Sequence, residues 1–310
     1  MNLSIIIPIY NEEGNINVLY NRLTAVAKSM NVSYELIFIN DGSKDASLPM
    51  IINLAQQDSA VKYINFSRNF GHQIAVSAGL DYCVGEAVAI IDADLQDPPE
   101  MISQLYDKMK EGFQVVYARR RSRAGEGFLK KFTAKMFYRV LAKITSIKIP
   151  VDTGDFRIMH RKIVDVLKQM PEQQKYLRGQ IAWAGFNQTY VMYDRDERHA
   201  GATGYTYKKM IRLALDGITG FSNLPLKFAT FAGFIVSGIA FLISLYALYS
   251  RFVSKDYVPG WTSLILAVLF IGGVQLISIG IIGEYMSRLS ANVRNRPIYI
   301  VTETNVEETK

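Results

Sequence analysis

The chain has 310 residues, 49% hydrophobic and 12% aromatic, with a formal charge of +7 and a pI near 9.2. That length suits about two structural units, the apolar share excludes a disordered chain, and the charge favours anionic partners such as nucleotide phosphates, lipid phosphates or nucleic acid. Cys83 is the only cysteine, which rules out an intrachain disulfide and a cysteine-based zinc site and leaves a small buried thiol as the simplest reading.

Leu3–Tyr10 is apolar but short, and Asn11, Glu12 and Glu13 follow at once. It has neither the basic start nor the small-residue cleavage site of a signal peptide, and it reads as a buried strand. A polar stretch of helical period runs on to Met30. Tyr34–Asn40 is a second apolar run and ends in Asp41-Gly42-Ser43. Ile51, Ile52, Leu54 and Ala55 mark a helix, Val61–Phe66 a third strand, and Ala75–Tyr82 another helix. Ala87–Ile91 leads into Asp92-Ala93-Asp94, then Met101–Lys110 reads as helix and Gln114–Ala118 as strand. Short apolar runs alternating with helices predict βα units and a mostly parallel sheet. Ligands in such sheets bind beyond the carboxyl ends of the strands. Four polar clusters stand at those ends: Tyr10-Asn11-Glu12, Asp41-Gly42-Ser43, Arg68-Asn69 and Asp92-Ala93-Asp94.

Further on, two segments have a basic and an apolar side at helical spacing. In 128–144, Lys131, Lys135, Arg139 and Lys143 recur every fourth residue; in 205–221, Lys208, Lys209, Arg212 and Asp216 share a side. Such helices suit an anionic membrane surface, although a surface helix packed on the sheet has the same pattern. Phe228–Ser250 and Tyr257–Gly283 then contain no charged residue, and each exceeds the roughly 20 residues that cross a hydrocarbon core. Lys208, Lys209, Arg212 and Lys227 precede them, and Arg288, Arg294 and Arg296 follow. The positive-inside rule puts both flanks, and so the catalytic portion, in the cytoplasm. Gly233, Gly238, Gly272, Gly273, Gly280 and Gly283 permit close helix packing, within one chain or in a homo-oligomer. The resulting division is 1–204 a cytoplasmic catalytic domain, 205–223 an amphipathic interface helix, 224–290 two transmembrane helices (about 228–250 and 257–283), and 291–310 a polar cytoplasmic tail with no assigned role.

The chemistry concentrates in Asp92-Ala93-Asp94-Leu95-Gln96. Alternating side chains after a strand present Asp92, Asp94 and Gln96 together, an oxygen donor set for a divalent cation that would offset charge on a diphosphate leaving group. Asp41-Gly42-Ser43 makes a turn, with Ser43 a candidate helix cap, and that turn can aim Asp41 at a base or ribose. Tyr10 can lie along a base, and Glu12 can accept a ribose or base hydrogen. Neither the phosphate loop of ATPases nor a Gly-x-Gly-x-x-Gly after the first strand occurs, which disfavours ATP hydrolysis and ordinary dinucleotide binding. His72, His160 and His199 lack metal-ligand spacing and read as surface or packing residues, with His72 near the proposed cleft. No nucleic-acid-binding module is present.

Together PIYNEE (8–13), NDGSKD (40–45), SRNFGHQ (67–73), DADLQDPPE (92–100), TGDFRIM (153–159) and IGEYMSR (282–288) resemble the inverting family 2 glycosyltransferases, over nearly the whole chain. Within them the chain is similar to the polyprenyl-phosphate sugar transferases, a group that includes dolichyl-phosphate mannose synthase and bactoprenol glucosyltransferase. The resemblance implies a GT-A-type α/β fold, a mostly parallel sheet with helices on both faces, followed by two transmembrane helices. It implies that Pro8, Tyr10, Glu12, Asp41, Arg68 and Asp92 hold the nucleotide sugar, and that Asp92, Asp94 and Gln96 hold Mg or Mn. Asp155 and Asp94 would be the catalytic carboxylates, with Asp155 on the acceptor side, usually described as the base. Arg119, Arg121, Arg157 and Lys208 would meet the acceptor phosphate. Relatives often read Gly-x-Ser/Thr-Lys in the acceptor loop. Here Gly201-Ala202-Thr203-Gly204 lacks the lysine, so Lys208 or Lys209 stands in for it or the loop works differently.

A lipid phosphate, with a second pKa near ~6 like other phosphomonoesters, is largely ionised already. Asp155 is therefore expected to position groups more than to remove a proton. The expected reaction is in-line transfer of glucose from UDP-glucose to undecaprenyl phosphate with inversion, at the inner or plasma membrane; UDP-N-acetylglucosamine and GDP-mannose are the alternative donors. A processive polysaccharide synthase would carry Gln-x-x-Arg-Trp, which neither Trp183 nor Trp261 completes. The competing class is a non-catalytic membrane protein that binds nucleotide sugars.

Overall fold

The computed structural model describes residues 1–121, 153–194, 222, 224–249 and 261–307. The expected interface segments 128–144 and 205–221, the Gly201–Gly204 stretch, Lys208 and the 251–256 connection lie outside the described residues. From the N-terminus come β1 (Leu3–Ile9), α1 (Ile16–Ser29), β2 (Tyr34–Asn40), α2 (Ser47–Gln57), β3 (Val61–Phe66), α3 (His72–Tyr82), β4 (Ala87–Ile90), α4 (Met101–Lys110) and β5 (Val115–Arg120). Then follow β6 (Thr153–His160), α5 (Arg161–Lys168), α6 (Leu177–Trp183), β7 (Gln188–Tyr193), the long helices α7 (Leu224–Tyr249) and α8 (Trp261–Arg294), and β8 (Val301–Thr304).

The strands form one sheet in the order β7-β5-β6-β4-β1-β2-β3-β8. β1 to β4 run parallel, as do β5 and β7, while β6 and β8 are antiparallel to their neighbours. Every residue of β1 is buried, because the sheet is covered on both sides and its central strand must be apolar on both faces. Leu3, Ile5, Ile7 and Ile9 pack with α1, α2 and α4. Ile6, with Ile37 and Ile39 of β2, packs with α3, α5 and α6 on the other face. Each such side chain contributes about 1.5–3 kcal/mol by burial. Pro8 stands beyond the last β1–β4 pair, Ile6 with Ile90. Its missing N–H therefore leaves no ladder bond unmade.

The expected strands all form, within a residue or two at their ends. β6 was readable only as a motif: Asp155 and Arg157 alternate with Phe156 and Ile158, and two charged residues on an inward face mask a strand. In the polar tail, residues 301–304 form β8 on the free edge of β3, so the sheet takes its last strand from beyond the apolar helices.

α7 and α8 pack against each other, and both are long and apolar enough to cross a membrane. Their apolar side chains are uncovered, Phe234 to 75% and Leu276 to 72%, so neither helix is the core of a soluble domain. α8 runs past the expected end at Gly283 to Arg294. A Cβ on Gly233, Gly238, Gly272, Gly273, Gly280 or Gly283 would meet nothing within 4 Å among the described residues.

Candidate active site

Two loops at the carboxyl ends of β1 and β2 are stitched together. The Asn11 N–H donates to Ser43 Oγ (3.0 Å) and the Lys44 N–H to Asn11 Oδ1 (2.8 Å). The Glu12 N–H donates to Ser47 Oγ (3.0 Å), and the Ala46 N–H to Glu13 Oε2 (2.9 Å). Asn11 adopts φ +56°, a left-handed conformation that asparagine tolerates better than most residues. Ser43 does not cap a helix as expected: α2 begins at Ser47, and the Ser43 hydroxyl holds Asn11 instead. The stitching leaves Tyr10 46% exposed at the strand end, while Asn15 Nδ2 donates to Glu12 Oε2 (2.6 Å).

Asp41 is buried, and its carboxylate organises the next turn. Oδ1 accepts the Phe70 N–H (2.6 Å) and Oδ2 the Gly71 N–H (3.0 Å). Burial nevertheless pushes its pKa up, against these bonds. Gly42, at φ +68°, lies under that turn: a Cβ there would come within 2.6 Å of the Arg68 carbonyl carbon and the Asn69 nitrogen. The Arg68 guanidinium rests 4.0 Å from the centre of the Phe70 ring. Asp41 thus fixes the entry to α3, whose first residue is His72.

His72 reaches across the strand ends. Its Nε2 lies 3.5 Å from Asp92 Oδ1 and 3.4 Å from Asp155 Oδ2. Burial opposes its charge, but Asp92 and Asp155 outweigh this and lift its pKa to about 9. Burial lifts Asp92 to about 6, helped by the negative charges of Asp155, Asp97 and Asp94 and opposed by His72. Asp92 Oδ1 is buried and makes no hydrogen bond. Asp94 Oδ1 accepts the Gln96 N–H at 3.2 Å, across Leu95 at φ +58°. The described residues hold no ready-made group of three His, Cys, Asp or Glu ligands. What they hold is crowded carboxylates, one with a buried oxygen lacking a hydrogen bond, and this fits a hard divalent cation that would relieve their repulsion.

Asp155 is held by side chains from two sides of the cleft. Oδ1 accepts from Arg157 Nη2 (2.7 Å) and Arg178 Nε (3.0 Å). Gln73 Nε2 lies 3.5 Å from Oδ2, and Gln73 Oε1 accepts the Leu177 N–H (3.2 Å) at the start of α6. Burial alone would raise its pKa, but Arg178, His72 and Arg157 hold it well below the usual carboxylate range. Arg157 is only 1% exposed. It also donates to the backbone oxygens of Gly154 (3.1 Å) and Asp155 (3.0 Å), beneath the Tyr117 ring. It braces Asp155 from within through Nε and Nη2, while its Nη1 is buried and makes no hydrogen bond. Arg119 lies over Tyr190 (4.8 Å), and the exposed Arg121 pairs with Asp194 (3.4 Å). Arg120, between them, points to the opposite face, where its Nη2 lies 3.6 Å from buried Asp97 and its Nε donates to Tyr193 Oη (3.1 Å).

The family model for glycosyl transferase family 2 matches residues 4–167. The chain belongs to that family. An uncharacterized glycosyltransferase of Synechocystis is 50% identical over 301 residues, covering 97% of this chain and 95% of its own. A prophage-derived bactoprenol glucosyl transferase of Shigella flexneri is 41% identical over 305 residues, covering 98% and 99%. Among solved structures, glucosyl-3-phosphoglycerate synthase of Mycobacterium tuberculosis, in complex with Mn2+, UDP and phosphoglyceric acid, aligns with TM-score 0.51 at 18% identity over 70% of this chain and 76% of its own. That last likeness is one of fold.

In this glycosyltransferase Tyr10, Glu12, Asp41, Asp92, Asp94 and Asp155 stand at one end of the sheet, beside β1, β2, β4 and β6. Sequence reasoning did not select Gln73, Asp97, Arg120, Arg178 or Tyr193, and it read His72 as a surface or packing residue near the cleft. His72, Gln73 and Asp97 lie inside quoted motifs. Arg120 was lost because choosing 119 or 120 needs the facing of β5. Arg178 and Tyr193 carried no signal. A half-open recess of about 290 Å³, lined by Ser77, Asp81, Lys168 and Arg296 among others, lies elsewhere and contains none of Asp41, Asp92, Asp94 or Asp155.

Proposed function

We propose that this glycosyltransferase moves glucose from UDP-glucose to a polyprenyl phosphate, undecaprenyl phosphate, with inversion, at the inner face of the plasma membrane. The observation that carries the reading is the near full-length, 41% identity with a protein named bactoprenol glucosyl transferase. Two uncovered apolar helices attached to the sheet support it.

Tyr10, Pro8, Glu12, Asp41 and Arg68 hold the nucleotide. Each Asp41 oxygen accepts one backbone N–H and keeps a second lone pair for a ribose or base hydrogen. Asp92 and Asp94, with Gln96, hold Mg or Mn, which when bound neutralises charge on the diphosphate. The phosphate oxygen of the lipid attacks the anomeric carbon in line as the bond to the diphosphate oxygen breaks, and UDP leaves from the opposite face. Asp155 has two arginines on one oxygen and a depressed pKa. It orients the arginines and His72 around the reacting centre and takes no proton from an acceptor that is already ionised. Arg119 and Arg121, with Lys208, meet the acceptor phosphate; Arg157 acts through Asp155. The small residues of α7 and α8, which permit close helix approach, support self-association.

The test is sugar transfer by the purified protein in detergent, with undecaprenyl phosphate, Mg or Mn and a panel of labelled UDP- and GDP-sugars. A lipid-linked product from UDP-glucose, lost in Asp94→Ala, is expected. Product from UDP-N-acetylglucosamine or GDP-mannose instead would overturn the sugar. Donor binding with no product from any donor would favour the non-catalytic class.

A further inference from the structure

The chain passes from the sheet towards the apolar helices and back at two places, and these are the sheet's opposite edges. The chain leaves from β7, the first strand of the sheet order, and returns as β8, the last. At about 4.8 Å per strand the two edges stand roughly 34 Å apart. Both attachments lie at the same end of the sheet. β7 runs parallel to β5, so its last residue, Tyr193, is at the carboxyl end. β8 is antiparallel to β3 and begins where β3 finishes, Val301 opposite Phe66. That end carries Asp92, Asp94, Asp155 and His72.

The grip of the returning segment is far stronger than a loose tail would need. The Tyr299 ring stacks on Phe66 (5.2 Å), and its hydroxyl donates to Asp81 (2.9 Å). The Ser67 N–H donates to Ile300 O (3.0 Å) and the Tyr63 N–H to Asn305 Oδ1 (2.7 Å). Asn305 Nδ2 donates to Val61 O (3.1 Å), and the Tyr63 hydroxyl to Glu303 (2.8 Å). The last turns of α8 are also tied down, with Asn292 Oδ1 accepting the Gln173 N–H (3.0 Å). Only residues 295–300 join α8 to β8, a link that spans at most about 20 Å. Covering the β3 edge would need a strand, but not a short link or a tie to α8.

We infer that β8 and its short link form a clamp that fixes the tilt and height of the catalytic cleft over the bilayer, so that a membrane-embedded acceptor phosphate meets the cleft. The inference rests on the membrane reading proposed above. α8, at about 51 Å, is longer than a hydrocarbon core of ~30 Å, so its charged end, with Glu284, Arg288 and Arg294, serves as the strut.

The experiment inserts a Gly/Ser linker of about ten residues between Asn295 and Arg296, adding about 17 Å of flexible reach while leaving β8 intact. A second variant, Tyr299→Ala with Asn305→Ala, loosens β8 itself. Three quantities are read in lipid nanodiscs: the Kd for UDP, transfer to embedded undecaprenyl phosphate against a short-chain, water-soluble prenyl phosphate, and energy transfer from a dye on Lys110→Cys to a headgroup dye. The linker variant should keep UDP binding and soluble-acceptor transfer within about twofold, lose at least about tenfold on the embedded acceptor, and show a broadened distance distribution, since small misplacement is costly to transfer. Unchanged embedded transfer with a single sharp distance would overturn the clamp and leave β8 as an edge cover. Equal loss on both acceptors, with weaker UDP binding, would also overturn it, making the segment part of the cleft's own fold. If wild type transfers sugar to neither acceptor yet its single distance broadens on insertion, the clamp stands and the functional reading falls.

Discussion

Asp155 and Arg157 are a nearly buried pair, and removing one leaves the other charge without its partner. Asp155→Asn is expected to cost about 3 kcal/mol or more of stability, in addition to activity. Denaturant unfolding measures this; near-normal stability and turnover would remove the positioning role. His72 gives the protein a pH signature in the absence of metal. Its pKa rises from 6.5 to about 9 on folding, so its stabilising contribution is complete below 6.5 and disappears as pH rises through 9. Asp155 works at the other end: its depressed pKa stabilises the fold above the ordinary carboxylate value and loses that effect only in strong acid. Melting temperature should therefore fall between pH 7.5 and 10 in wild type, and fall less in His72→Gln. Burial pushes the Cys83 thiol up to about 11. Iodoacetamide should leave it untouched at pH 8 until the protein unfolds; rapid native alkylation would contradict the buried placement.

At the scale of elements, the carboxyl-end loops do most of the positioning. Gly42→Ala would force a Cβ against the 68–69 backbone at a positive φ. A loss of about 1–3 kcal/mol is expected, together with weaker UDP binding because the Asp41 turn shifts; a melting scan and calorimetry read the two effects. The same elements explain what the sequence made legible. β1 to β4 are short, mostly apolar runs, so their existence and the polar clusters at their ends followed from period and spacing. β6 did not, because Asp155 and Arg157 point inward and satisfy each other, a pairing invisible until the strand is placed. The Arg119–Arg121 run was legible as basic, but which guanidinium faces Asp97 depends on strand register, and that is set by neighbours far along the chain.

For the whole molecule, the two long apolar helices were legible from length and lack of charge alone, whereas the destination of the tail was not. Val301–Thr304 is four residues of ordinary polarity, and its role comes entirely from where α8 delivers it. Its partners are also distant: Tyr63 and Asn305 are separated by 242 positions. The edge of β3 therefore stays open while the ribosome makes the rest of the chain, and the sheet can close only after both apolar helices have been synthesised and residues 299–307 have emerged. A nascent polypeptide stalled before that point exposes an unpaired strand to its neighbours. Complete translation thus becomes a condition for a protected sheet, and chains lacking their last residues are the ones that quality-control proteases should find first.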